Sequence, residues 1–198
     1  RRSIKTCTYI IAPVMMSVAF CAEPLVRLIL TEKWLPCVLF LRVFCLGYAC
    51  WPIITANLNA AKAVGRSDLY LKCQLLNEGV CILLLLATFR VSVEAIAYGM
   101  LITNVVTQIL DAQLSKKLIG YGYLEQMRDI LPTLLLAAGA GLCMYLVIFL
   151  HLPDLLTVII QVVVGLGIYL TGSAILELDT FEYFKDVLAP SIRQKLKR

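Results

Sequence analysis

The amino-acid sequence predicts an all-α, polytopic membrane protein with six transmembrane helices. Three observations carry this: 61% of its 198 residues are hydrophobic, 16% are charged, and the mean hydropathy is +0.86, all outside the range of soluble domains. Length sets the number of spans, because a helix needs roughly 20 mainly apolar residues to cross a hydrocarbon core about 30 Å thick. Six such segments fit, at residues 6–30, 36–61, 69–89, 92–114, 130–150 and 155–176, followed by a tail at 177–198.

The first span carries Glu23 and Arg27, four apart with the acid first, the favourable order for a pair on one helix face. Pro13 and Pro24 are expected to kink it. An outer turn, "TEKWL", follows, with Trp34 placed as an interfacial anchor. The second span holds Arg42 about as deep from the outer surface as Arg27. Two readings stand side by side: these arginines form a basic outer vestibule for an anionic headgroup, or they snorkel to the interface.

Asn57 and Asn59 end the second span, and the chain then turns through "KAVGRSDLYLK". Here Gly65 permits a turn with positive φ, Arg66 can meet lipid phosphates, and Ser67 or Asp68 is expected to cap a helix starting near Leu69. The third span brings Gln74, Asn77 and Glu78, and the fourth Asn104, Gln108 and Asp111 at near-helical spacing. Such amides serve a water-filled, sugar-compatible cavity or interhelical hydrogen bonds equally well. Glu78 and Asp111 also suit proton or sodium coupling, although their nearness to the inner interface favours solvent exposure.

Residues 115–129 form the longest inner connection, with the flexible, interfacial "GYGY" in it. The fifth and sixth spans contain no charge, and Gly139-Ala140-Gly141 and Gly165-Leu166-Gly167 give them smooth surfaces for close packing. The tail places Phe181, Phe184 and Leu188 at helical spacing before Pro190, as an amphipathic helix on the inner leaflet or a basic tail held by anionic lipid.

Orientation follows from the basic residues, which inner loops and ends retain. With both ends inside, fourteen of the 18 lie on the inner side: Arg1, Arg2, Lys5, Lys62, Arg66, Lys72, Lys116, Lys117, Arg128, Lys185, Arg193, Lys195, Lys197 and Arg198. The net charge of +5 is accounted for by this bias, so no nucleic-acid partner is invoked. The chain opens on Arg1-Arg2 without an initiator Met and reads as the C-terminal part of something longer. Its eight cysteines have neither metal-site nor disulfide spacing and read as small packing residues. No metal or cofactor is expected.

Two segments, "PLVRLILTEKWLPCVLFLRVFCLGYACWPI" and "NLNAAKAVGRSDLYLK", resemble the C-terminal half of Wzx-type polysaccharide exporters, within the multidrug/oligosaccharidyl-lipid/polysaccharide exporter superfamily. The matching positions are Thr31, Lys33 and Trp34 in the outer turn, then Asn59 and Gly65-Arg66-Ser67-Asp68. "LDAQLSKKLIGYGYLEQMRDILP" is similar to the same branch. The resemblance implies the C-terminal part of a two-lobe transporter that flips undecaprenyl-diphosphate-linked oligosaccharide across a bacterial inner membrane, for O-antigen or other surface polysaccharide. It also implies lipid-linked oligosaccharide and membrane lipids as partners, H+ or Na+ as a coupling ion, and contact with polysaccharide polymerase or assembly proteins.

Transport without covalent chemistry is therefore the leading expectation, with Glu23, Arg27, Arg42, Asn57, Asn59, Gln74, Asn77, Asn104 and Gln108 as substrate-path candidates. A drug/cation antiporter of the same superfamily and a non-catalytic scaffold of an assembly complex are the alternatives. A membrane glycosyltransferase would need carboxylates or a metal motif in a sizeable aqueous loop, and these loops are too short.

Overall fold

In a computed structural model the chain is all-α among its described residues, 1–150, 153–176 and 180–181. The expected tail therefore lies outside the described residues except for Thr180 and Phe181. The helices are α1 (Arg2–Phe20), α2 (Ala22–Leu30), α3 (Cys37–Tyr48), α4 (Trp51–Ala63), α5 (Ser67–Thr88), α6 (Val93–Ile119), α7 (Tyr123–Leu146) and α8 (Asp154–Ile175). Short 3-10 turns at Glu32–Trp34 and Val147–Leu150 complete them. Five helices are long and apolar enough to cross a membrane, or six if the bent pair α3 and α4 counts as one span. The protein is an all-α polytopic membrane protein.

Proline chemistry explains where the first two expected spans divide. Proline lacks the N–H that would bond the carbonyl four residues back, and its ring clashes with that carbonyl. Pro24 is four residues after Phe20, where α1 stops, and Pro52 is four residues after Tyr48, where α3 stops. Each sits in the first turn of the next helix, where its missing donor costs nothing. The α3–α4 pair is bent by 41° at this break.

Pro13 acts differently, because α1 runs through it unbroken. The carbonyl deprived of its donor is that of Tyr9, and the Tyr169 hydroxyl donates to it at 2.8 Å from α8. The two tyrosine rings meet in a tilted contact, centroids 5.2 Å apart. Around them Ala12, Met16, Ala49, Ala137 and Ala140 form the core between α1, α7 and α8, against which Phe181 packs. Small residues let these helices approach: a Cβ on Gly141 would lie 2.3 Å from the Phe20 ring, and one on Gly165 2.2 Å from Met144 Sδ. Gly139 and Gly167, by contrast, face open space.

The antiparallel α5–α6 pair joins this core through α3 and α4. Two expectations about the connections are corrected. The stretch expected as a 115–129 loop is mostly helix, since α6 continues to Ile119 and α7 begins at Tyr123, leaving residues 120–122 to turn on Gly120 at φ 72°. At the other turn Gly65 takes φ 73° as anticipated, but neither Ser67 nor Asp68 caps α5. Arg66 occupies the cap position, and its guanidinium holds the Asp68 carboxylate at 3.1 and 3.2 Å.

Where α1 and α7 begin, Asp129 gathers two hydrogen-bond donors and a second cation. Arg1 binds it through Nη2 at 3.0 Å, the Tyr121 hydroxyl donates at 2.7 Å, and Lys5 lies at 3.8 Å. Burial and the Asp129 carboxylate push the Tyr121 phenol well above its ordinary range, so it stays a donor at neutral pH.

Candidate functional site

A groove with polar side chains lies between α4, α5 and α6. From α5 it receives Gln74, Asn77, Glu78 and Cys81, and from α6 Thr103, Asn104 and Thr107, each set following the three-and-four spacing of one helix face. Trp51, Ile54 and Leu58 of α4 supply an apolar wall, and the half-open groove has a volume of about 210 Å³. Helix geometry gives its depth. Gln74 to Cys81 lie seven to fourteen residues into α5, and Thr103 to Thr107 ten to fourteen into α6, or about 10–21 Å along axes rising 1.5 Å per residue. With the helix ends set at the faces of a core about 30 Å thick, that stretch falls in its middle.

The groove is shaped by local bonds. Gln74 donates to Glu78 Oε1 at 3.1 Å, one turn along the same face, and the Thr103 hydroxyl returns to the Gly99 carbonyl at 2.9 Å. Asn104 can reach the groove because α3 has a glycine opposite it: a Cβ on Gly47 would stand 2.7 Å from Asn104 Nδ2. Gly47, Thr103, Thr107 and Trp51 were not among the sequence candidates. Only the threonines carried a signal, their helical spacing from Asn104.

The candidate amides thus divide. Gln74, Asn77 and Asn104 meet in the groove, joined by Glu78. Asn59 is exposed on another side of α4, and Gln108 is buried in α6 outside the groove lining. Asn57 is committed to the protein: its Nδ2 donates to Gln126 Oε1 at 2.9 Å while Gln126 Nε2 donates back to Asn57 Oδ1 at 2.9 Å. Ser115 adds a bond to the same oxygen at 2.8 Å, and Gln126 also reaches the Tyr121 carbonyl at 3.0 Å. This knot joins α4, α6 and α7.

Asp111 corrects the sequence reading outright. It is fully buried rather than solvent-exposed, because the face of α6 that carries it packs on α5, where Asn77 and Cys73 donate to its Oδ1 at 2.9 and 3.1 Å. Glu78, one residue beyond Asn77, is exposed and lines the groove beside Gln74.

Arg27 and Arg42 lie in separate surroundings, so a vestibule built from both is not formed by the described residues. Arg27 is exposed on α2 and donates to Glu23 Oε1 at 2.9 Å, the pair its spacing implied. Arg42 points instead at the broken end of α1, where its Nε donates to the Ala19 carbonyl at 3.3 Å. A cation is favourable there, since the last carbonyls of a helix carry the negative end of its dipole. The arginine stands at a cavity of about 300 Å³ walled by Phe20, Leu46, Leu142 and Tyr145, and its Nη2 is buried without a partner.

Of the turn residues, Gly65, Arg66, Ser67 and Asp68 stay at the α4–α5 connection, away from both cavities. Among the described residues no cluster of three or more histidine, cysteine or acidic side chains is arranged to hold a metal ion.

No curated protein and no solved structure matches the chain. Residues 1–39, which form α1, α2, the Glu32–Trp34 turn and the start of α3, match a family model described as "Polysaccharide biosynthesis protein". The match and the apolar helices together support a multi-pass membrane protein of polysaccharide biosynthesis, in the broad sense of that family.

Proposed function

We propose that this chain forms part of an exporter that flips a lipid-linked oligosaccharide, carried on undecaprenyl diphosphate, across the bacterial inner membrane without covalent chemistry. The observation that carries the reading is the groove of amides and hydroxyls at mid-bilayer depth between α4, α5 and α6. Sugar hydroxyls need hydrogen-bond partners that hydrocarbon does not provide, so a saccharide crossing the core requires such a surface. The polysaccharide-biosynthesis match of residues 1–39 supports the same cargo class. Alternating access between two lobes is the accompanying mechanism, with both ends of this chain on the cytoplasmic side.

The test uses the complete reading frame that contains this chain, reconstituted in proteoliposomes with a fluorescent undecaprenyl-diphosphate saccharide. Transfer is read as loss of signal to a membrane-impermeant quencher. Asn104→Leu removes a groove amide and is expected to slow transfer by roughly tenfold, the kinetic equivalent of about 1.4 kcal/mol. Unchanged transfer in Asn104→Leu at equal protein level would remove the groove from the path.

A drug/cation antiporter is the second reading, favoured by one observation, the buried carboxyl of Asp111. It requires transport of an apolar cation in the same vesicles, inhibited by Asp111→Asn, with no transfer of the saccharide.

A further inference from the structure

The hydrogen bonds around Asp111 are asymmetric in an informative way. Its Oδ1 accepts two, from Asn77 Nδ2 at 2.9 Å and from the Cys73 thiol at 3.1 Å. Its Oδ2 is buried with no partner, and so is Asn77 Oδ1. Both residues are withdrawn from solvent, Asp111 at 0% exposure and Asn77 at 7%. Two buried acceptors therefore stand unmatched on two side chains already bonded to each other. In a membrane interior such groups are costly, and no cation among the described residues forms an ion pair with Asp111.

One proton removes the deficit. Placed on Oδ2, it makes Oδ1 a carbonyl oxygen, the natural acceptor of two bonds, and gives Oδ2 a hydrogen to donate. The unmatched acceptor on the side chain already bonded to Asp111 is Asn77 Oδ1, so the proton would complete an acid–amide pair in which N–H donates one way and O–H the other. A hard cation would instead need about six oxygen ligands, and two are on offer. We propose that Asp111 carries a proton, and that the Asp111–Asn77–Cys73 cluster is a proton-binding site that ties α6 to α5.

The neighbouring groups leave this site uncharged. From α5 it faces Asn77 and Cys73, while Lys72 is exposed and Glu78 is exposed and bonded to Gln74. From α4 and α7, Asn57 and Gln126 are closed on each other and on Ser115, one turn further along α6. From α3, Gly47 meets Asn104, two turns the other way. Asn77 also lines the groove, so the proton is held one side chain behind the groove wall.

Infrared spectra of the protein in lipid nanodiscs at neutral pH, in H2O and D2O, test the assignment. The expected result is the carbonyl stretch of a protonated carboxyl that shifts on deuteration and disappears in Asp111→Asn. In Asn77→Val the same band is expected at higher frequency, because the carbonyl oxygen has lost the Asn77 N–H and the hydroxyl its acceptor. Asparagine at 111 reproduces the protonated pattern, with Nδ2 donating to Asn77 Oδ1, and is expected to assemble like the wild type. A spectrum that Asp111→Asn leaves unchanged would mean an ionised carboxylate and overturn the proposal. Failure of Asp111→Asn to assemble would overturn it equally, since the site would then require the charge. The measurement does not depend on the cargo proposed above, so either conclusion can fail without the other.

Discussion

The Tyr169 hydroxyl replaces the hydrogen bond that Pro13 removes from α1, and this substitution can be tested by a double-mutant cycle. Tyr169→Phe keeps the ring and its 5.2 Å contact with Tyr9 and deletes only the donor to the Tyr9 carbonyl, 2.8 Å away. A buried carbonyl left without its donor costs about 1–3 kcal/mol, and measured interhelical bonds in membranes reach at most about 1.7 kcal/mol. The expected loss is therefore about 1–2 kcal/mol. Pro13→Ala restores a backbone N–H four residues after Tyr9, which satisfies the same carbonyl from within the helix. In that background Tyr169→Phe is expected to cost only a few tenths of a kcal/mol, giving a coupling of about 1 kcal/mol or more. The assay is unfolding by a denaturing detergent in mixed micelles, followed by the reactivity of the buried thiols of Cys21 and Cys45. Equal costs of Tyr169→Phe in both backgrounds would refute the reasoning, because the hydroxyl would then owe its stabilising effect to something other than the missing proline donor.

Two further outcomes are expected. Asn57→Leu and Gln126→Leu each strand the partner amide of a buried reciprocal pair, so each should destabilise by about 1–3 kcal/mol, and the double variant by clearly less than the sum; additive losses in the same unfolding assay would count against the knot. Gly165→Ala drives a Cβ into Met144, itself buried, and should cost about 1–3 kcal/mol, whereas Gly167→Ala, facing open space, should be neutral or stabilising by up to about 1 kcal/mol; thermal unfolding in detergent separates them, and equal effects would contradict the packing.

Composition and residue order alone determined the all-α membrane class, because the need to satisfy backbone groups in hydrocarbon leaves an apolar chain of this kind few alternatives. They also determined that Gly65 turns with positive φ and that Glu23 can pair with Arg27, since both depend on neighbours within four residues. Tertiary structure decided how polar residues divide their work. Asn57 and Asn77 look alike in sequence, yet one is locked against Gln126 across 69 positions and the other stands between the groove and Asp111. Asp111 reads as an interfacial acid until α5 is packed over it. Pro13 and Pro24 have the same local chemistry, yet α1 runs through the first, whose freed carbonyl receives the Tyr169 hydroxyl from α8, and ends before the second. Periodicity gives the face on which a side chain lies, but whether that face meets lipid, a groove or another helix is set by contacts from distant parts of the chain.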